Sequence, residues 1–479
     1  MGKIAAPSAG GKSRVKLIIT LATSTSASLA GQTVIVKDLA SSITVASFRY
    51  TGQPEILKIP AGMSFSVLAS EKDGYVKPSS VPGIAMDDSA ITIQYIPATR
   101  YGFRRAKANS ATEARIEYLF DAIGKTPAAM NLSTNVMGYG DWADFINEVA
   151  TPVMLKSDGA EDYKLDRGNQ TLRADTGGGS DIGNTAYDGN AMVRFAVWKW
   201  VKRYEDANYE YVIFCNAYYD DTYHAYAHTD ADGNITEAFY YSMYKGGNVN
   251  SKLRSLADRS IMVSQTRSTE VAFAMANGAG WDTAYKSAWD YIGDLLTLIS
   301  KSDNGQNAFG TGRCASGNTS AISTGTLKTQ PGFWGSSNQT SDVKVFWIEG
   351  FWGNIWEGMR GLINDNGTIK TKMVPPYNFD AVGYKNTGIT PGGTSGGYIS
   401  AASITDASGY VPKTANGSAT TYYADGLWFN NGQVNYALVS GSWSSGLVCG
   451  PRCCDLNAVA SFASTYGGAR LSCVPKKPA

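Results

Sequence analysis

The sequence predicts a small all-β sandwich followed by a larger α+β domain, and three observations support that reading. Short β-patterned runs succeed one another between residues 14 and 97, punctuated by turn-rich pieces. All eleven tryptophans lie at or beyond Trp142, so composition changes near residue 100. Beyond that boundary, alternating strand patterns surround one strongly amphipathic helical stretch. At 479 residues the chain is too long for a single ordinary core.

Taken in order, residues 1–12 are rich in Gly, Ala, Ser and Lys and read as a flexible tail or attachment peptide. The basic and then apolar start resembles a signal peptide, but residues 15–22 alternate as a strand does and lack a long apolar run. Over 13–97, runs at 15–21, 33–39, 43–50, 55–59, 64–68 and 90–96 have the rhythm of a small antiparallel, immunoglobulin-like sandwich. This domain holds no Trp, Cys or His, which suits a spacer or docking module better than a site of chemistry.

Residues 98–140 read as a helical connector. Ser110 and Glu113 have capping-box spacing at the head of a helix over 111–123 that stops at Gly124. Within 141–479, the runs 197–204 and 209–216 read as a hairpin across the Glu205–Asn208 turn. Trp281, Tyr285, Trp289, Ile292, Leu296 and Ile299 recur at three- and four-residue spacing, predicting a helix over 281–299 with an aromatic core stripe. A strand over 343–349, a strand or short helix over 354–362, and a Gly/Ser/Thr-rich loop over 386–420 follow.

Charge and motif content exclude several functions. A net charge of +1 gives no basic footprint for nucleic acid or anionic lipid. No run of about 18 apolar residues occurs, so no membrane insertion is expected. Six cysteines, Cys215, Cys314, Cys449, Cys453, Cys454 and Cys473, are too few and too unevenly spaced for a disulfide framework and read as packed thiols. His224 and His228 share a four-residue spacing, but over 200 residues separate them from the Cys449–Cys454 cluster, and no metal site is expected. No nucleophile elbow, phosphate loop or zinc-protease motif is present, so neither catalytic residues nor cofactors are assigned.

The most informative segment is 441–473. Between Ser444 and Tyr466 there is no Lys, Glu, Gln, Met or Trp, and every residue is one that a codon ending in a pyrimidine can encode. Those five types total 69 of 479 residues, so a window of this length avoids them about 3% of the time by chance. Scrambling the first two bases of Asn codons would produce this composition.

The flanks are patterned where the middle is not. Gly441-Ser442-Trp443, Gly468-Ala469-Arg470-Leu471 and the upstream Trp352-Gly353-Asn354-Ile355-Trp356-Glu357 together resemble the C-type lectin fold. The resemblance is to the branch of formylglycine-generating enzymes and of variable proteins of diversity-generating retroelements, and it covers roughly residues 131–479. It implies that the three motifs are scaffold and that the residues between the Gly441-Ser442-Trp443 and Gly468-Ala469-Arg470-Leu471 motifs are displayed on a ligand-binding face. Asp121 to Met130 resembles the junction of phage tail and tail-fibre proteins that carry such tips.

The resemblance implies a phage tail receptor-binding protein, a homotrimer on the virion, docked to other tail proteins through its N-terminal domain. Its partner would be a bacterial surface protein or glycan. The expected ligand-binding set is Trp443, Ser444, Ser445, Val448, Cys449, Arg452, Cys453, Cys454, Asp455, Asn457, Val459, Ser461, Phe462, Ala463, Thr465 and Tyr466. Gly446, Leu447, Gly450, Leu456 and Ala458 are expected to be scaffold. The alternatives are a diversified binding protein at a bacterial surface or secreted from the cell, and an enzyme on the same fold. The enzyme would be a glycan hydrolase with paired carboxylates or an oxidase using the cysteines near Arg452.

Overall fold

Alternation at period two puts Leu17, Ile19 and Leu21 on one face of β1 (Arg14–Thr23), all buried, with exposed or half-buried residues between them. In this computed structural model, which describes residues 13–72, 74–76 and 78–476, that face joins a core with its counterparts on β2 (Thr33–Asp38), β3 (Thr44–Arg49), β4 (Glu55–Pro60), β5 (Ser64–Ala69), β6 (Val81–Ile84) and β7 (Ser89–Tyr95). The expected tail over 1–12 lies outside the described residues.

Two sheets enclose this core, in the orders β4-β1-β7 and β3-β2-β5-β6. They are not wholly antiparallel as expected: β1 and β7 pair in parallel, from Leu17 opposite Ser89 to Thr23 opposite Tyr95. Parallel neighbours need a long crossover, and the strands between them provide it. The turn-rich stretch around Pro82 proves to hold β6, which pairs with β5 alone, and a sheet edge is where proline is tolerated. Among the described residues, those from 13 to 100 together with 215–223 form one compact unit; 101–214 and 224–476 form the other.

The expected helix over 111–123 is absent. Residues 116–120 form the strand β9 (Ile116–Phe120), paired with β8 (Arg100–Ala106) from Arg105 opposite Ile116 to Tyr101 opposite Phe120. Ile116 faces the core, and cross-strand packing outweighs the local helix signal. Strands Trp200–Glu205 and Tyr209–Cys215 continue this four-stranded sheet.

The second unit is built on two larger sheets. One, six-stranded, runs Glu161–Lys164, Ala150–Lys156, Gly189–Phe195, Phe239–Lys245, Arg470–Cys473, Trp281–Thr283. The other contains, side by side, Trp356–Asp365, Val434–Val439, Cys454–Ala458, Gly426–Phe429 and the hairpin of Gly397–Thr405 with Gly409–Gly417. That hairpin replaces the loop expected over 386–420. Ile399, Ile404, Tyr410 and Val411 are buried on it, an apolar pattern diluted in the sequence by small polar residues.

The long helix spans Lys286–Ser300 rather than 281–299. Trp281 instead sits on a strand paired with Arg470–Cys473, and Tyr285, still extended, precedes the first helical turn. Trp289, Ile292, Leu296 and Ile299 are buried, so the stripe is core. The run 343–349 is not one strand but a tight hairpin of Lys344–Val345 with Ile348–Glu349, turning through Phe346 (φ 47°) and Trp347 (φ 63°). Burial of both side chains offsets the left-handed backbone.

Candidate recognition face

The segment 441–473 begins where strand Val434–Val439 ends and finishes as strand Arg470–Cys473 in the six-stranded sheet. Between them, Cys454–Ala458 is flanked by Val434–Val439, antiparallel, and Gly426–Phe429, parallel. Both ends of the segment are therefore fixed by sheet pairing, and 459–466 crosses between them outside regular structure.

The three flanking motifs are buried polar anchors. Arg470 Nε donates to both Glu357 carboxylate oxygens, at 3.1 and 3.0 Å, and its other nitrogens donate to the carbonyls of Ser242, Glu349 and Gly350. Lys245 also pairs with Glu357. Burial opposes ionisation of Glu357, but Arg470 and then Lys245 hold its carboxyl below the usual carboxylate range. Asn354, at φ 68° and buried, accepts from the Trp443 N–H through its carbonyl (2.9 Å) and from the Ile322 N–H through Oδ1 (3.0 Å). Its Nδ2 donates to Asp342 Oδ2 (3.2 Å). One asparagine thereby joins the upstream motif, the 319–323 loop and the start of the candidate face.

Gly441 shows why this start requires glycine. Its φ is 77°, and a Cβ there would lie 2.3 Å from Cys449 Sγ.

The expected display set divides. Asn457, Val459, Ser461, Ala463, Thr465 and Tyr466 are exposed, and Trp443, Ser444, Ser445, Val448, Asp455 and Phe462 are half-buried. Cys449, Arg452, Cys453 and Cys454 are instead buried, correcting the expectation that they face a ligand. Arg452 pairs with Asp294 on the long helix, stacks its guanidinium over Tyr410 at 4.7 Å, and donates its backbone N–H to Asp425 Oδ2 at 2.6 Å. Cys453 belongs to a cluster with Trp356, Leu438 and Ala458, against which Trp428 and Phe462 pack. Among the expected scaffold residues, Gly450, Leu456 and Ala458 are buried, but Leu447 is exposed.

Burial raises the thiols of Cys449, Cys453 and Cys454 above their ordinary value, which favours the protonated, unreactive form. His228 is enclosed by Phe239 and Tyr291, its Nε2 3.1 Å from the Phe195 carbonyl oxygen. Among the described residues no group of three or more His, Cys, Asp or Glu side chains converges as a metal site.

The exposed loop is held by its backbone. Trp356 N–H donates to the Tyr466 carbonyl (2.7 Å), Ser264 N–H to the Ser464 carbonyl (2.9 Å) and Phe462 N–H to the Val459 carbonyl (2.9 Å). These bonds fix the loop through main-chain atoms, and Phe462 adds packing against the cluster around Cys453.

Trp443 and Tyr466 approach with ring centroids 5.7 Å apart. Beside them lies a groove of about 360 Å³, lined by Trp443, Thr465, Ser260, Ile261, Val263 and the stretch 319–323. Trp443 Nε1 is buried from bulk solvent and has no acceptor in the protein.

No known protein-family profile matches the chain, and no curated protein sequence does. Among solved structures, the P3c variant of Major Tropism Determinant superposes with a TM-score of 0.25 and 12% identity, covering 86% of this chain and 80% of that one. Its I1 variant gives 0.26 and 13% over the same shares. The Bacillus anthracis TIE protein gives 0.17 and 12% over 32% of this chain, which spans a quarter of the TIE chain. Superpositions this loose leave function to be argued from the side chains themselves.

Sequence reasoning overlooked the groove's second wall, residues 319–323. Its signal was present only as a Ser/Thr-rich loop, and nothing in the sequence pairs that loop with Trp443. The pairing is made through Asn354 and through Asn318, whose Nδ2 donates to the Trp443 carbonyl at 2.8 Å.

Proposed function

We propose that this chain is a phage receptor-binding protein whose C-type-lectin-type domain recognises a bacterial surface protein or glycan through the 443–466 face. The observation that carries the reading is the division of labour within one segment. Its buried residues are locked into ion pairs and sheet pairing, while Asn457, Val459, Ser461, Ala463, Thr465 and Tyr466 reach solvent. Small side chains beside a Tyr–Trp pair, next to a groove with an unused indole N–H, make a surface that binds through aromatic anchors and adaptable polar contacts.

A rigid frame lowers the ordering entropy lost on binding and lets side chains vary without refolding. Placement on a tail tip, docking through the N-terminal unit and trimerisation belong to the same proposal; three copies would add avidity to individually weak sites.

The test replaces Asn457, Val459, Ser461, Thr465 and Tyr466 together with alanine, then measures adsorption to host cells and thermal unfolding. Loss of adsorption with a melting temperature shifted by no more than a few degrees supports the reading. Retained adsorption, or collapse of the fold, overturns it.

A further inference from the structure

The second unit contains another concave site, separate from the recognition face. It is a cavity of about 310 Å³ lined by Met275, Trp281, Tyr285, Pro376, Tyr377 and Arg360 among others. The volume is about twice the ~150 Å³ that accepts a benzene ring. Tyr285 and Tyr377 stand with ring centroids 6.0 Å apart and planes 27° from parallel, giving an aromatic wall.

Arg360 makes this more than an apolar dent. It is 7% exposed, its guanidinium lies over Phe379 at 4.5 Å, and one terminal nitrogen donates to the Tyr377 carbonyl. Nε and Nη1 are buried and have no hydrogen-bond partner among the protein atoms. The nearest carboxylate oxygen, Asp282 Oδ2, is 3.9 Å from Nε, beyond hydrogen-bonding distance, and Oδ1 of the same group accepts from the Thr283 N–H at 2.7 Å. Leaving charged donors unmade in a buried position is costly, so the arrangement calls for an acceptor from outside the chain. Lys476 also lines the cavity, but it is paired with Asp232 at 3.1 Å, so Arg360 carries the unmet donors.

We propose that this cavity binds a small aromatic monocarboxylate, its ring between Trp281 and Tyr377 and its carboxylate on the free nitrogens of Arg360. Apolar walls with one unsatisfied cation suit a molecule having one flat apolar end and one anionic end. A sugar would offer several hydroxyls to a site with few polar partners to receive them, and a cation would meet Arg360.

Phenylacetate is the probe, with phenylacetamide and phenethylamine as its neutral and cationic counterparts, titrated into the full chain by calorimetry and ligand-observed NMR. A charge-assisted hydrogen bond corresponds to about tenfold or more in affinity, so phenylacetate should bind at least that much more tightly than the amide, and the amine should not bind. Arg360→Gln should remove the preference for the acid. Should that variant unfold, Ala279→Trp decides, because Ala279 is exposed and lines the cavity, so a bulky side chain there takes up its volume and leaves Arg360 in the sequence. Equal affinity for acid and amide, undiminished binding to Ala279→Trp, or no binding of phenylacetate would each overturn the proposal. Host adsorption is unaffected in either case, so this result stands apart from that of the recognition face.

Discussion

Arg452 is ion-paired with Asp294 of the long helix, although it lies within the segment whose composition marks it as interchangeable. Asp294 is shared with Arg203, whose Nε is 2.8 Å away. Burial alone would raise the Asp294 carboxyl, but Arg452 and Arg203 together hold it below its ordinary value. Gly293 gives the guanidinium its room, since a Cβ there would fall 2.9 Å from Arg452 Cζ. This residue anchors the segment to the core.

Arg452→Met should therefore destabilise the protein by about 2 kcal/mol, because it removes one of the two cations that offset the burial of Asp294 and leaves that task to Arg203. Tyr466→Ser, at an exposed position, should change stability by no more than about 0.5 kcal/mol. Chemical denaturation of both variants checks the pair. Equal effects would mean that the segment is uniformly core or uniformly surface.

Gly441→Ala should cost about 2 kcal/mol or more, from a left-handed φ combined with a Cβ placed against Cys449 Sγ. Adding Cys449→Ala removes the contact with Sγ but neither the tighter-than-usual approach to Cβ at 3.2 Å nor the backbone strain, so the double variant should be more stable than the sum of the single changes predicts. A double-mutant cycle on unfolding free energies reads this coupling. Simple additivity would show that the contact exerts no force.

Trp443→Phe keeps a ring against Tyr466 and removes the unpaired Nε1–H together with part of the indole's area. Stability should hold to within about 1 kcal/mol, while adsorption to host cells should weaken several-fold if the groove supplies an acceptor from the ligand. Unchanged adsorption would exclude the groove from the binding face.

Much of this arrangement was legible in the sequence wherever local pattern and tertiary role coincide. Residues 15–21 alternate because one face of β1 is core, and Trp289 to Ile299 recur at helical spacing because that helix is enclosed. The flanking motifs were recognisable because Asn354, Glu357 and Arg470 each make several bonds that another residue could not reproduce. What stayed hidden depends on partners distant in the chain. Ile116–Phe120 reads as helix until β8 is placed beside it, and 397–417 reads as loop until its sparse apolar positions meet the core. Cys453 and Arg452 look like surface residues by company alone, because composition reports which residues a segment contains and not which way each one faces.

His228 should make stability fall on mild acidification. Burial, with Lys199 second, pushes its imidazole down to about 3 from an ordinary value near 6.5. The unfolded chain takes up the proton first, so this contribution is complete above pH 6.5 and is lost as pH falls towards 3. Asp455, raised by burial to about 6, and Glu270, raised by burial to about 8, act in the opposite sense, since their folded forms retain the proton. The difference between the native chain and His228→Gln isolates the histidine. Between pH 6.5 and 5 it should approach a slope of about 1.4 kcal/mol per pH unit, with the native chain losing stability faster. Parallel stability curves would mean that the imidazole is hydrated in the folded state.

The thiols offer a test of whether the segment between Gly441 and Cys473 holds a reactive centre. Cys449, Cys453, Cys454 and Cys473 are fully buried, and burial is the leading cause that raises each of them, so thiolate is scarce at neutral pH. In native buffer at pH 7.5 a small thiol reagent should modify none of the four within a time that labels all of them in denaturant, and the native rate should follow the rate of unfolding. Selective labelling of Cys449 or Cys453 in the folded protein would reveal an accessible low-pKa thiol and restore the oxidase alternative. Protection of all four would assign these cysteines to packing, Cys453 in the cluster with Trp356 beneath the exposed face and Cys473 in the core around Trp281.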